Sequence, residues 1–271
     1  MKNITPQKIK KFQDTIDAFY ASEKREFVWR QTTNPYYIFL SEVMLQQTQT
    51  KRVTDYYTRF TSHYPTVHML AQASQQDVLR DWQGLGYNRR ALNLKKSAEM
   101  IVHTFAGQIP NTFDSLITLP GIGPATAGAI LCYAFNIPQA FIETNIRSVF
   151  IHEFFPARND VSDNEIYPLV VATLNKNNPR DWFYALTDYG VYLKATSNPA
   201  RKSRHYTKQS TFEGSNRQKR SLILKALLKQ SSTKNEIKEI TSLSSKDLTT
   251  PLKQLCDEGF IKNINSKYSM V

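Results

Sequence analysis

The sequence predicts an all-α chain that ends in a small mixed domain, and three observations lead there. Apolar residues recur at helical spacing from residue 5 into the 190s, with almost no strand signal before residue 255. Two Gly-rich turns, Trp82-Gln-Gly-Leu-Gly-Tyr-Asn-Arg-Arg90 and Leu119-Pro-Gly-Ile-Gly-Pro-Ala-Thr-Ala-Gly128, each separate two helical stretches. The third is a shift in charge: of a net +12, residues 1–193 carry +2 and residues 194–271 carry +10.

Each element follows from its residues. Ile9, Phe12, Ile16 and Phe19 make one face of an amphipathic helix over 5–21. Residues 27–35 are irregular, and Asn34-Pro35 opens a helix expected to run unbroken over Tyr36–Tyr57. That helix is apolar enough to be buried, yet it places Glu42, Gln46 and Gln49 on one face. A carboxylate among Leu40, Val43, Met44 and Leu45 is either neutralised by a nearby arginine or desolvated, with a raised pKa. The adjoining glutamines favour a wet cleft and the second state. Further helices are expected over 66–80 and 91–106, as a short helix leading into the Leu119 turn, and over 146–155, 163–174 and 181–193.

Residues 194–215 read as a basic linker, rich in polar and basic residues and without apolar periodicity. Residues 216–271 read as a separate domain. Ser221–Lys229 is helical, Thr233-Lys-Asn-Glu236 is a capping box, Ser244 and Ser245 start a third helix to Cys256, and Gly259 closes it. Two short strands then pair around Asn265-Ser266. This order resembles a winged helix-turn-helix with Ser245–Asp257 in the recognition position, a scaffold that serves DNA contact or protein binding.

Composition narrows the function classes. The 271 residues are 41% hydrophobic, enough for a substantial core. No run is long enough to span a bilayer and Met1–Pro6 lacks a signal-peptide core, so an intracellular, soluble protein without membrane contact is expected. Two distant cysteines, Cys132 and Cys256, and five scattered histidines offer no metal-ligand spacing. The basic C-terminal third suits a polyanion, or else a solvated surface.

The Leu119 turn suits either a plain helix–helix connection, the commoner use of a Gly-x-Gly turn before a helix, or an anion site. Gly121 and Gly123 allow a tight loop with exposed N–H groups, and the Ala/Gly/Leu run begins the next helix. A helix N-terminus joined to such N–H groups binds an anion, which suits one phosphate of a nucleic-acid backbone. Some twenty residues on, after a turn at Pro138, comes a carboxylate, Glu143.

Taken in order, Leu-Ser-Glu42-Val-Met-Leu-Gln-Gln47-Thr-Gln, Gly-Leu-Gly-Tyr87 and Leu-Pro-Gly121-Ile-Gly123 resemble the helix-hairpin-helix DNA glycosylases, specifically adenine DNA glycosylases of the MutY type, over roughly residues 5–195. The resemblance implies a helix-hairpin-helix fold of residues 1–193 in two helical subdomains, with a linker over 194–215 and the winged-helix-like domain over 216–271. It implies a cleft between two lobes across which Glu42 and Glu143 face each other. Glu42 matches the acid that protonates the purine and activates water. Glu143 stands where the family has an Asp that stabilises the positive sugar, and Asn145 matches the asparagine beyond it. Trp29, Arg30 and Asp188 match positions lining the base pocket. Gln47 and Tyr87 match side chains inserted into the base stack, and Gln46, Arg89, Gly121, Gly123 and Thr126 join them in the expected contact with double-stranded DNA.

Four departures stand out. Relatives carry four cysteines after the Asp188 helix that ligate an iron–sulfur cluster; here that place reads Lys194-Ala-Thr-Ser-Asn-Pro-Ala-Arg-Lys-Ser-Arg204. No cluster and no other cofactor is expected, and Arg201, Lys202 and Arg204 are expected to take over phosphate contact. Glu143 is one methylene longer than Asp, which shifts its charge. Ala125 stands where relatives have Ser or Tyr, or Lys in the strand-cleaving branch, so no Schiff base forms there and no lyase activity is expected. The C-terminal domain that reads 8-oxoguanine in the family is replaced by the winged helix.

The expected function is a monofunctional glycosylase of base excision repair that flips out and hydrolyses a mispaired purine, adenine opposite 8-oxoguanine or guanine. A mismatch thymine, uracil or hypoxanthine glycosylase on the same scaffold is the enzymatic alternative. A DNA-binding or regulatory protein without catalysis is the alternative of another class.

Overall fold

Polar caps set where most helices begin. The computed structural model describes residues 4–271, and in it Thr5, Thr66, Ser74, Thr112, Asn178, Ser215, Thr233 and Ser244 each accept a backbone N–H from the first turn of the following helix. The helices so started are α1 (Pro6–Glu23), α4 (Val67–Gln72), α5 (Gln75–Trp82), α7 (Phe113–Ile117), α11 (Pro179–Thr196), α12 (Asn216–Leu227), α13 (Lys234–Thr241) and α14 (Ser245–Asp257). Between them lie α2 (Pro35–Leu45), α3 (Thr50–His63), α6 (Arg89–Thr104), α8 (Pro124–Phe135), α9 (Thr144–Phe154) and α10 (Asp163–Thr173). Strands β1 (Ser232–Thr233), β2 (Ile261–Ile264) and β3 (Lys267–Met270) form one antiparallel sheet in the order β1-β3-β2.

The chain packs as two units, each assembled from two stretches. Unit 1 holds residues up to Glu42 and 109–208; unit 2 holds 43–108 and 209–271. In unit 1, α1 lays Phe12 against Phe150 and Phe154 of α9 and Trp182 of α11, with ring centroids 5.1–5.9 Å apart. The hairpin of α7 and α8 belongs to this unit. Ile122, 5% exposed, anchors the turn between them, while Gly121 takes φ +80°, a conformation that favours glycine.

In unit 2, Phe60 of α3 meets Trp82 of α5 edge to face, and Asp81 accepts from the Tyr64 hydroxyl at 2.8 Å. The winged part packs Ile223, Leu224 and Leu227 of α12 with Ile237, Leu248, Leu252, Leu255 and Phe260, all buried. Its hairpin turns through Asn265 and Ser266, both at positive φ, the geometry of a two-residue primed turn. Gln75 donates to the Gly259 carbonyl at 2.9 Å and Arg89 pairs with Glu258 at 2.8 Å, so the winged part is joined to α5 and α6.

Several expectations are corrected. The helix expected over Tyr36–Tyr57 is two helices, broken at residues 46–49, where Gln47 takes φ +55°. The cause is a tertiary donor: Arg90 hydrogen-bonds the Val43 and Met44 carbonyls at 3.0 and 2.6 Å and so ends α2. Gln46 and Gln49 therefore do not continue the Glu42 face; Gln49 is the N-cap of α3. The helix expected over 66–80 is also two, because the Ser74 hydroxyl accepts from Asp77 N–H and restarts the ladder. The expected linker is partly structured. Helix α11 continues to Thr196, a 3₁₀ turn covers Pro199–Lys202, and Ser203 bridges Val161. A strand, β1, precedes the region of expected strands.

Candidate active site and nucleic-acid interface

Glu42 sits on α2 between buried residues, with Leu40 and Met44 fully enclosed. Its carboxyl is half-buried, and burial first, then the charge of Glu143, raises its pKa to about 8; Arg30 partly offsets this. At neutral pH Glu42 therefore holds a proton it can give. Glu143 is the N-cap of α9. One of its oxygens accepts from Ile146 N–H at 3.0 Å and the other from the Asn145 amide at 3.2 Å. Burial raises its pKa, and those hydrogen bonds with the Arg147 charge pull the other way, favouring the carboxylate. Both acids belong to unit 1, whereas separate lobes were expected.

Two tyrosines that sequence reasoning missed complete the surroundings. The rings of Tyr133 and Tyr184 stack at 4.1 Å with an interplanar angle of 6°. Burial, then the nearby Glu42, holds both hydroxyls protonated. The Arg30 guanidinium lies 4.3 Å from the Tyr184 centroid. Nothing local marks these tyrosines in the sequence, because the apolar run of α8 reads as core.

Asp188 is 2% exposed and its oxygens are filled. Arg25 donates from N–H at 3.1 Å and Nε at 2.6 Å, and Arg30 donates from both Nη atoms at 2.7 and 2.8 Å. Asp188 thus fixes Arg30 rather than offering an acceptor of its own. Trp29 is buried and stacked on Phe27 at 4.9 Å.

Gly190 explains how Glu143 and Asn145 are held. A Cβ there would lie 2.3 Å from the Asn145 carbonyl oxygen, so α11 touches the first turn of α9. A mid-helix glycine costs about 1 kcal/mol against alanine, a cost consistent with the need for close approach. Gly190→Ala is expected to lose about 1–3 kcal/mol in urea denaturation despite the better helix former, through overpacking. Because the clash falls on Asn145, it is also expected to shift the amide that donates to Glu143.

The residues expected to contact DNA divide between the units. In unit 1, Gly121 and Gly123 are exposed at the start of α8, and Thr126 lies half-buried in its first turn. Arg204 pairs with Asp160 at 2.6 Å and Lys202 donates to the Pro156 carbonyl at 2.7 Å, so both side chains already have protein partners; Arg201 is exposed. In unit 2, Gln46 and Tyr87 are half-buried and Gln47 is exposed, with Gln47 and Tyr87 at turn tips and Arg89 paired with Glu258. Gln209 and Arg217 both reach the Tyr87 hydroxyl.

Residues 194–204 supply no thiolate, so an iron–sulfur cluster has no ligands there. Burial pushes the Cys132 thiol up to about 12, which suits packing rather than ligation. Among the described residues no three His, Cys, Asp or Glu side chains are grouped to hold a metal, and no helix is long and apolar enough to cross a membrane.

Residues 40–180 match the family described as HhH-GPD superfamily base excision DNA repair protein. An adenine DNA glycosylase of Buchnera aphidicola is 33% identical over 69% of this chain and 54% of its own length. An adenine DNA glycosylase of Rattus norvegicus is 39% identical over 69% of this chain and 39% of its own length. The chain thus spans about half or less of these curated relatives. A thermostable thymine-DNA glycosylase structure superimposes with a TM-score of 0.66 at 26% identity, covering 73% of this chain and 93% of that one.

Proposed function

We propose that this chain, which belongs to the HhH-GPD superfamily of base excision DNA repair proteins, is a monofunctional DNA N-glycosylase releasing a mispaired purine, adenine opposite 8-oxoguanine or guanine. The observation that carries the reading is the acid pair: Glu42 held near a pKa of about 8, beside Glu143 whose two oxygens are hydrogen-bonded. Cleaving a purine N-glycosidic bond calls for a proton on the leaving base and negative charge near a cationic sugar. Glu42 supplies the proton; as the base departs it becomes the carboxylate that can take a proton from attacking water. Glu143, fixed by Ile146 and Asn145, supplies the charge. The stacked tyrosines and Arg30 lie around Glu42, and the burial there favours its protonated form.

Duplex DNA holding the mispair is the partner, with the α7–α8 turn on a phosphate and Gln47 and Tyr87 at the vacated stack. Such an enzyme works on the nucleoid in the cytoplasm as a monomer without a cofactor. Ala125 carries no amine, so strands stay intact after base release. A second reading, thymine or uracil release, is favoured by one observation: the thymine-DNA glycosylase structure is matched over nearly its whole length.

Duplexes with A:8-oxoG, A:G, T:G, U:G and hypoxanthine:T, cut by alkali after incubation, test both. Release from the adenine duplexes, with breaks appearing only after alkali, is the expected result. Release confined to T:G and U:G selects the second reading. Binding without release from any of them overturns catalysis.

A further inference from the structure

The turns bearing Gln47 and Tyr87 are distant in sequence but share a buried partner, Arg90. The Arg90 side chain is enclosed, with 7% of the residue exposed. Its Nη1 donates to the Val43 and Met44 carbonyls at 3.0 and 2.6 Å, at the end of α2. Its Nη2 donates to the Thr48 hydroxyl at 2.8 Å and the Gly86 carbonyl at 3.0 Å. Thr48 follows Gln47 directly and Gly86 precedes Tyr87. The indole N–H of Trp82 donates to the same Gly86 carbonyl at 3.0 Å, and the guanidinium lies 5.1 Å from the Trp82 ring centroid and 5.5 Å from that of Tyr87.

The four acceptors are neutral: three carbonyls and a hydroxyl. A guanidinium taken out of water in this way is costly unless its fork is matched, and the C-terminal carbonyls of α2 supply part of the match. Both tip residues also adopt left-handed backbone, Gln47 at φ +55° and Tyr87 at φ +52°, which a non-glycine residue keeps only when its surroundings dictate it. One planar fork that fixes the residues flanking both tips supplies such surroundings. Lysine, a single point donor, cannot span them.

We infer that Arg90 is a positioning residue that locks the Gln47 and Tyr87 turns into one rigid wedge for extruding a base from paired DNA. The inference rests on the glycosylase reading and deepens it. Arg90 reaches neither the reacting base nor the sugar; its effect is confined to the step in which the stack opens. A pre-set wedge loses less side-chain freedom when it enters the duplex than two independent loops would.

The test compares the full-length protein with Arg90→Lys and with Thr48→Val, which removes one acceptor and leaves the guanidinium in place. Each is measured in single turnover on a mismatched duplex and on the same strand with the target base in a one-nucleotide bulge, where the stack is already open. 2-Aminopurine at the target position reports extrusion independently of chemistry. Arg90→Lys is expected to lose about 10–100-fold on the duplex, about threefold or less on the bulge, and most of the 2-aminopurine signal; Thr48→Val is expected to show the same pattern more weakly. Equal losses on both substrates, or none on either, would overturn the inference. If Arg90→Lys does not fold, the ratio for Thr48→Val decides. Wild-type protein that extrudes 2-aminopurine but releases no base refutes the glycosylase reading while leaving the wedge measurable. Wild-type protein that does neither refutes both.

Discussion

Glu42→Gln is expected to lower single-turnover base release by about 10²–10⁴-fold, the range a positioned acid supplies. Glutamine keeps the shape and hydrogen-bonding capacity of the protonated acid but has no proton to give and leaves no carboxylate to activate water. Duplex affinity should be nearly unchanged, because Glu42 is set among apolar residues of α2 and is not placed to meet phosphate. The pH profile is the sharper measurement. With Glu42 near a pKa of about 8, wild-type release should fall as pH rises through 8, since the proton-bearing form is lost. The residual rate of Glu42→Gln should lack that limb. A wild-type rate that instead climbs through pH 8 would show that Glu42 acts only as a base.

The same shift fixes the sign of a stability change. The pKa of Glu42 is raised above its ordinary value of 4.5, so its contribution is fully present below about 4.5 and is lost as pH rises through about 8. Above 8 the folded protein holds an ionised carboxyl beside Glu143. Glu42→Gln is therefore expected to be more stable than wild type at pH 9, by roughly 1–3 kcal/mol after allowing for solvent at the half-buried group, and to lose that advantage toward pH 4.5. Denaturation midpoints at the two pH values check this. The pairing of lost activity with gained alkaline stability is what distinguishes a strained functional acid from a packing residue.

What was legible in the sequence was local. Pro120, Gly121, Gly123 and Pro124 mark the α7–α8 turn through their own backbone preferences, and the structure ends α7 and starts α8 around them. Thr233 and Glu236 form the expected capping box because its partners are three residues apart. Glu42 was legible as a candidate because a carboxylate among Leu40, Val43 and Met44 contradicts its surroundings. What was not legible depends on partners far along the chain. The break after Leu45 comes from Arg90, and the stacking of Tyr133 on Tyr184 joins α8 to α11. Strand β1 is two residues long and exists only through its pairing with β3. Gly190 did carry a signal, a glycine inside an otherwise good helix; its reason, the Asn145 backbone, lies 45 residues earlier in the numbering.

Asp188→Asn is expected to be the most destabilising single substitution of the site. The wild-type carboxylate neutralises two guanidiniums, one of them, Arg30, with only 7% of its side chain exposed. Asparagine preserves the shape but removes the charge, leaving Arg25 and Arg30 beside each other with one acceptor oxygen between them. Breaking a buried pair from one side costs about 3–5 kcal/mol, because the surviving charge keeps its desolvation penalty without its partner. For a domain of this size that corresponds to a drop in Tm of roughly 10 °C, readable by calorimetry. A further effect separates scaffold from function. Arg30 already lowers the pKa of Glu42, and its charge would no longer be balanced, so the alkaline limb of base release should move to lower pH in Asp188→Asn. A lower Tm with an unmoved limb would assign Asp188 to the scaffold alone; a moved limb, measured at a temperature where the variant is folded, would show that Asp188 sets the acidity of Glu42 through Arg30.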